Sequence, residues 1–91
     1  MTQRTALVTG GTGGIGSAIV RYLAGQGHKV ATNYRDAARA EAWRQAMASD
    51  GIEVCMVQGD VSDPVECEAM IRELEAACGP VDILVNNAGI T

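Results

Sequence analysis

The sequence predicts an α/β fold, a doubly wound parallel sheet laid down in the order β-α-β-α-β-α-β. Three observations carry this. Short apolar runs alternate with longer amphipathic segments along all 91 residues. Hydrophobic residues make up 47% of the chain while aromatics make up only 3%, with no Phe, so the core is aliphatic, as suits a helix-covered parallel sheet. Five glycines crowd the turn between the first apolar run and the first amphipathic segment.

The elements follow in order. Thr5 to Thr9 is a short apolar run and reads as a buried strand. The first helix follows the glycines, with Ile15, Ala18, Ile19, Tyr22 and Leu23 expected on its inner face and Gly25 and Gly27 at its end. His28 to Asn33 is strand two. Asp36 caps the next helix, whose expected inward positions are Arg39 (stem only), Ala42, Trp43, Ala46 and Met47, and Gly51 stops it. Glu53 to Val57 is strand three. After Gly59-Asp60-Val61-Ser62 comes the clearest helix start: Asp63 at N-cap, Pro64 at N1 and Glu66 at N3, a capping box with proline in its preferred place. Cys67, Met70, Ile71, Leu74 and Cys78 form its apolar stripe, and Gly79-Pro80 ends it. Val81 to Val85 is strand four, followed by Asn86-Asn87-Ala88-Gly89. Strands alternating with helices of this length imply right-handed parallel crossovers.

Composition excludes several functions. The formal net charge is −4 and the Lys and Arg are scattered singly, so no basic nucleic-acid footprint or membrane-surface patch forms. No apolar run approaches transmembrane length. Met1-Thr2-Gln3-Arg4 leads into a strand without a signal-peptide pattern, and the expected location is cytoplasmic. Cys55, Cys67 and Cys78 are odd in number and contain no C-x-x-C pair, so neither a disulfide framework nor a zinc site is expected. All three are read as small buried hydrophobes. A doubly wound dinucleotide fold normally needs two more strands after the fourth. Residues 1–91 are therefore expected to be the N-terminal part of a longer protein, an incomplete doubly wound domain of Rossmann type.

The glycine turn carries the chemistry. Gly11-x-Gly13-x-x-Gly16 and Gly10-x-x-x-Gly14-x-Gly16 are overlapping dinucleotide fingerprints. One glycine turns the strand sharply, a second lets a pyrophosphate approach the backbone, and a third lets helix and strand pack closely. The helix N-terminus offers free N–H groups and a positive dipole end. At the end of strand two, Thr32-Asn33-Tyr34-Arg35-Asp36 holds no acid at the strand terminus, and Asp36 serves as a helix cap. An acid there would favour NAD. Arg35 favours NADPH by meeting its 2′-phosphate, with Arg39 as the substitute.

Thr9 to Gly16, Gly59-Asp60-Val61 and Asn86-Asn87-Ala88-Gly89 together resemble the short-chain dehydrogenase/reductases, most nearly their acetoacetyl-CoA and 3-oxoacyl-acyl-carrier-protein reductase branch. The glycine loop also fits nucleotide-sugar epimerases; Asn86 to Gly89 separates the two. The resemblance implies that Gly10, Thr12, Gly13, Gly14, Ile15 and Gly16 cradle the pyrophosphate. It implies that the Asp60 carboxylate accepts the adenine amino group and the Val61 N–H reaches a ring nitrogen. Asn87, Ala88, Gly89 and Ile90 would line the ribose and nicotinamide side, and Asn86 would tie neighbouring strands together. Many NADPH-dependent relatives carry a basic residue where this chain has Gly13. The family's catalytic Ser, Tyr-x-x-x-Lys and assisting Asn would lie beyond Thr91. Tyr22 and Tyr34 are followed four residues later by Gln26 and Ala38, not Lys. No catalytic residue is assigned here, and residues 1–91 alone are expected to be inactive. The implied parent is a homotetrameric NADPH-dependent reductase converting acetoacetyl-CoA to 3-hydroxybutyryl-CoA, in polyhydroxyalkanoate or fatty-acid synthesis. The competing readings are a non-catalytic nucleotide-binding module and an epimerase-like relative.

Overall fold

The structure, a computed structural model, describes residues 4–10, 12–60 and 62–86. Seven elements alternate: β1 (Thr5–Val8), α1 (Gly14–Gly25), β2 (Lys29–Tyr34), α2 (Ala37–Ser49), β3 (Val54–Gln58), α3 (Pro64–Cys78) and β4 (Ile83–Val85). The strands form one parallel sheet in the order β3-β2-β1-β4. Strand boundaries lie one or two residues from the expected ones because backbone pairing sets them. Val8 faces Thr32 on one side and Val85 on the other, so β1 stops where its neighbours stop pairing.

Alternation along the strands divides the core between two faces. Leu7, Ala31 and Val57 face α3, where Met70, Leu74 and Cys78 cover them. Val8, Val20 and Val30 form the opposite cluster with Ile19, Leu23 and Trp43, so α1 and α2 share that face. Each fully buried Leu or Val contributes on the order of 2 kcal/mol from removal of apolar surface. Thr32 is buried inside the sheet, with its hydroxyl donating to the Val8 carbonyl at 2.7 Å.

Local signals place the helix ends. Asp36 accepts from the Ala38 and Arg39 amides, and Asp63 from those of Val65 and Glu66. Gly27 and Gly51, at φ 88° and 79°, close α1 and α2 in paired turns. In each, the next residue reaches back five positions: His28 N–H to Leu23 O, and Ile52 N–H to Met47 O.

The helix faces differ from expectation in two places. Ile15 and Tyr22 are 63% and 67% exposed, and Ala18 is exposed too. The buried side of α1 is Gly16 and Val20, flanked by Ile19, Leu23 and Ala24. Gly16 lies on this buried side, where a residue without a side chain lets helix and strand pack closely. In α2 the inward residues are Ala40, Trp43 and Met47, while Arg39, Ala42 and Ala46 are exposed. Alanines on every side of α2 leave little contrast for periodicity to detect.

Two further corrections concern side chains. Glu66 does not close a capping box on Asp63; its carboxylate accepts from the Asp60 amide at 2.8 Å. The Asp63 amide is already bonded to the Asp60 carbonyl, which frees Glu66 to reach farther back. Cys55 and Cys78, expected as separate thiols, are joined in a disulfide, and Cys67 is free. Packing of α3 across β3 brings their Cα atoms to 6.8 Å, a proximity no count of cysteines reveals. Among the described residues, no helix is long and apolar enough to cross a membrane.

Candidate functional site

The sheet order creates the site. The chain runs outward from β1 to β3, then returns across to place β4 on the other side of β1. Ligand crevices in open α/β sheets form at such a reversal, beyond the C-terminal strand ends. A cleft of about 580 Å³ lies there, lined by residues following β1, β2 and β3.

The turn after β1 forms its floor. Gly10 has φ 66°, a left-handed conformation that glycine adopts without steric cost. The Gly13 amide returns to the Gly10 carbonyl at 3.3 Å. Gly13 is the N-cap of α1 and brings no side-chain bond, and the first turn holds no acidic residue. This contrasts with α2 and α3, each capped by an Asp. The open amides and positive dipole end of α1 thus suit an anion. A Cβ added at Gly14 would meet nothing within 4 Å, so the backbone is open at that point. Thr12 and Gly16 also line the cleft, and Ile15 spreads its exposed side chain at the edge.

The end of β2 supplies an unforeseen anchor. Asn33 is only 5% exposed. Its Oδ1 accepts from the Gly10 amide at 2.9 Å, and its Nδ2 donates to the Gly59 carbonyl at 3.1 Å. One side chain thereby fixes the glycine turn relative to the turn after β3. An amide side chain at the end of a short strand that is buried over four residues was the available sequence signal. Beyond it, the Arg35 and Arg39 side chains line the cleft beside Tyr34. Arg35 is 77% exposed, its guanidinium 3.8 Å from the Asp60 carboxylate. Asp36 is committed to capping α2, which leaves a cation nearest the end of β2.

Asp60 closes the third side. Its Oδ1 accepts from the Ser62 hydroxyl at 2.7 Å and the Ser62 amide at 2.9 Å. These two bonds, with Arg35 farther off, hold its carboxyl below the ordinary aspartate range. The group is ionised at neutral pH and acts as an acceptor. Gly59, just before it, sits against α3: a Cβ there would lie 3.0 Å from Met70 Sδ. On the β4 side, the Thr9 hydroxyl lies 3.3 Å from both the Val85 carbonyl and Asn86 Oδ1, linking the ends of β1 and β4.

Gly10, Thr12, Gly13, Gly14, Ile15, Gly16, Arg35 and Asp60 therefore line one cleft. Val61, Asn87, Ala88, Gly89 and Ile90, also expected to contact the ligand, lie outside the described residues. An uncapped helix N-terminus, an open glycine backbone, a nearby guanidinium and an acceptor carboxylate fit a phosphorylated dinucleotide.

Comparison with known proteins gives a concordant result. A family model described as short chain dehydrogenase matches residues 4–91. The chain is 49% identical to nodulation protein G of Azospirillum brasilense over 92 aligned residues, covering 100% of this chain and 37% of that protein. It is 48% identical to an acetoacetyl-CoA reductase of Allochromatium vinosum, covering 97% of this chain and 37% of the relative. A crystal structure of an actinorhodin polyketide ketoreductase variant with NADPH superposes with TM-score 0.86 at 35% identity, covering 93% of this chain and 33% of that one. The chain thus spans about a third of the length of each of these proteins.

Proposed function

The chain belongs to the short-chain dehydrogenase family, and from that premise we propose that residues 1–91 are the dinucleotide-binding part of an NADPH-dependent reductase of 3-oxoacyl thioesters. The observation that carries the cofactor reading is the cleft itself. The uncapped α1 N-terminus and Arg35 lie on one surface, with the carboxylate that follows β2, Asp36, consumed as a cap.

In this reading the amides at the start of α1 bind the pyrophosphate and orient it. Gly14 leaves the backbone open for close approach. Arg35, with Arg39 beside it, meets the 2′-phosphate. Asp60, ionised and held in place by Ser62, accepts the adenine amino group through the carboxylate oxygen that Ser62 leaves free. Val61 and the stretch from Asn87 to Ile90 complete the adenine and nicotinamide sides. Asn33 holds the two turns at a fixed distance, so pyrophosphate and adenine sites move as one body. When bound, NADPH would supply the hydride equivalent that reduces the C3 carbonyl of the thioester to an alcohol, a reduction that also requires a proton at the oxygen. No residue in 1–91 is assigned as the proton donor; the family resemblance puts the Ser and the Tyr-x-x-x-Lys after Thr91.

Acetoacetyl-CoA is the proposed substrate, supported by the 48% identity to a reductase of that name. A cytoplasmic homotetramer working in polyhydroxyalkanoate or fatty-acid synthesis accompanies the proposal. The test is to express the protein from its full reading frame and follow NADPH or NADH absorbance with acetoacetyl-CoA. NADPH should be consumed one-for-one with 3-hydroxybutyryl-CoA formed. Consumption of neither nicotinamide, or absence of a downstream Tyr-x-x-x-Lys, would defeat the reductase reading.

A further inference from the structure

We propose that Trp43, the single tryptophan of the chain, is a positioning residue that acts through Ser17 to aim the pyrophosphate-binding end of α1; this rests on the dinucleotide reading above. Neither residue lines the cleft, and both sit behind the glycine turn. The Trp43 indole N–H donates to Ser17 Oγ at 2.8 Å. The Ser17 hydroxyl donates in turn to the Gly13 carbonyl at 2.6 Å. The Ser17 amide bonds to that same carbonyl at 2.8 Å, as the first regular bond of the helix.

The geometry gives this relay a consequence at the site. A serine hydroxyl has one proton and can also accept. With the indole donating to Oγ, the hydroxyl proton is directed at the Gly13 carbonyl, which is then held from two directions. The Gly13 C=O and the Gly14 N–H belong to one planar trans peptide and point opposite ways. Fixing the carbonyl therefore fixes the Gly14 N–H, one of the uncapped amides at the start of α1. An aspartate or serine cap orders the first amides of an ordinary helix by accepting from them, but Gly13 supplies no such side chain. Holding the turn from behind leaves its front open.

Trp43 can do this because α1 and α2 pack on the same sheet face. Its ring rests against the cluster of Val8, Val20 and Val30, so packing holds the ring independently of its N–H. Trp43→Phe consequently keeps an aromatic ring and deletes only the donor.

The experiment uses the protein from its full reading frame and isothermal titration with two probes. NADPH reports the whole site; adenosine 2′-monophosphate reports the adenine and 2′-phosphate end alone. Trp43→Phe is expected to weaken NADPH binding about three- to tenfold, the effect of one net hydrogen bond. Adenosine 2′-monophosphate binding should stay within about twofold of wild type on the same reasoning. Ser17→Ala should reproduce the loss, and the double variant should be no weaker than Ser17→Ala alone, because both act on one chain of bonds. Wild-type NADPH affinity in Trp43→Phe, equal losses for both probes, or additive losses in the double variant would overturn the proposal. If Trp43→Phe melts far below wild type, Ser17→Ala with its own melting curve decides the matter by the same criteria. If the wild-type protein binds neither probe, the dinucleotide reading fails as well, an outcome distinct from loss confined to the relay.

Discussion

Replacing Arg35 by alanine separates the two nicotinamide dinucleotides most directly. In the structure the Arg35 guanidinium is 77% exposed and lies 3.8 Å from the Asp60 carboxylate, itself a third exposed. Unit charges at that distance interact by about 1 kcal/mol in water, and exposed pairs of this kind yield about 0–1 kcal/mol net. A 2′-phosphate carries roughly −1.5 to −2 charges at neutral pH, and a charge-assisted bond to it is worth about 1.5–3 kcal/mol. Breaking the weak Asp60 pair to make the phosphate contact leaves a gain of about 1–2.5 kcal/mol. Arg35→Ala should therefore raise the Kd for NADPH roughly 5- to 70-fold, with NADH affected less than about twofold because it lacks the phosphate. Titration calorimetry with each cofactor at low and high salt is the assay. The gap between cofactors should narrow as salt rises, since the contact is exposed. Equal losses for NADPH and NADH would refute the reasoning. A normal Arg35→Ala accompanied by a large NADPH loss in Arg39→Ala would move the role one helical turn along.

Gly14→Asp should separate folding from binding: a Cβ at Gly14 meets no atom within 4 Å, and an acid at a helix N-terminus contributes about 0.3–1 kcal/mol. The melting temperature should hold or rise while NADPH binding is abolished; retained binding would show that the pyrophosphate lies elsewhere. Gly59→Ala puts a Cβ 3.0 Å from Met70 Sδ and 3.4 Å from Met70 Cβ, in a core where Met70 is 2% exposed. A loss of about 1–3 kcal/mol in urea unfolding is expected from overpacking, with weaker adenine-side binding as Asp60 shifts; an unchanged midpoint would contradict the contact. The Cys55–Cys78 bridge spans 23 residues, so its reduction should cost about 3 kcal/mol on the chain-entropy account. Thiol titration of the unfolded, unreduced chain should find only Cys67, whereas three reactive thiols would exclude the bridge.

Much of this protein was legible in its sequence, because the signals concerned are local. The alternation of elements follows from composition and periodicity over a few residues. Asp36 and Asp63 cap helices through amides two and three residues away. Gly27, Gly51 and Gly79 end helices because their own φ is positive. The glycine turn also announced its chemistry, since its lack of side chains is itself the feature an anion needs.

What tertiary structure alone decided lies between residues distant in sequence. The order β3-β2-β1-β4 brings three strand ends to one cleft, so Arg35 and Asp60, 25 positions apart, share a surface with the glycine turn. Asn33 read as an ordinary strand terminus until the fold set it between Gly10 and Gly59. Trp43 and Ser17, and Cys55 and Cys78, met only when helices were laid across the sheet. The helix faces were misjudged for the same reason. Periodicity gives the spacing of a stripe, but packing decides which side turns inward, that of Gly16 and Val20 in α1 and of Ala40 and Met47 in α2. Backbone conformation answers to neighbours in sequence, whereas a site is an arrangement in space, and only the packed sheet supplies that.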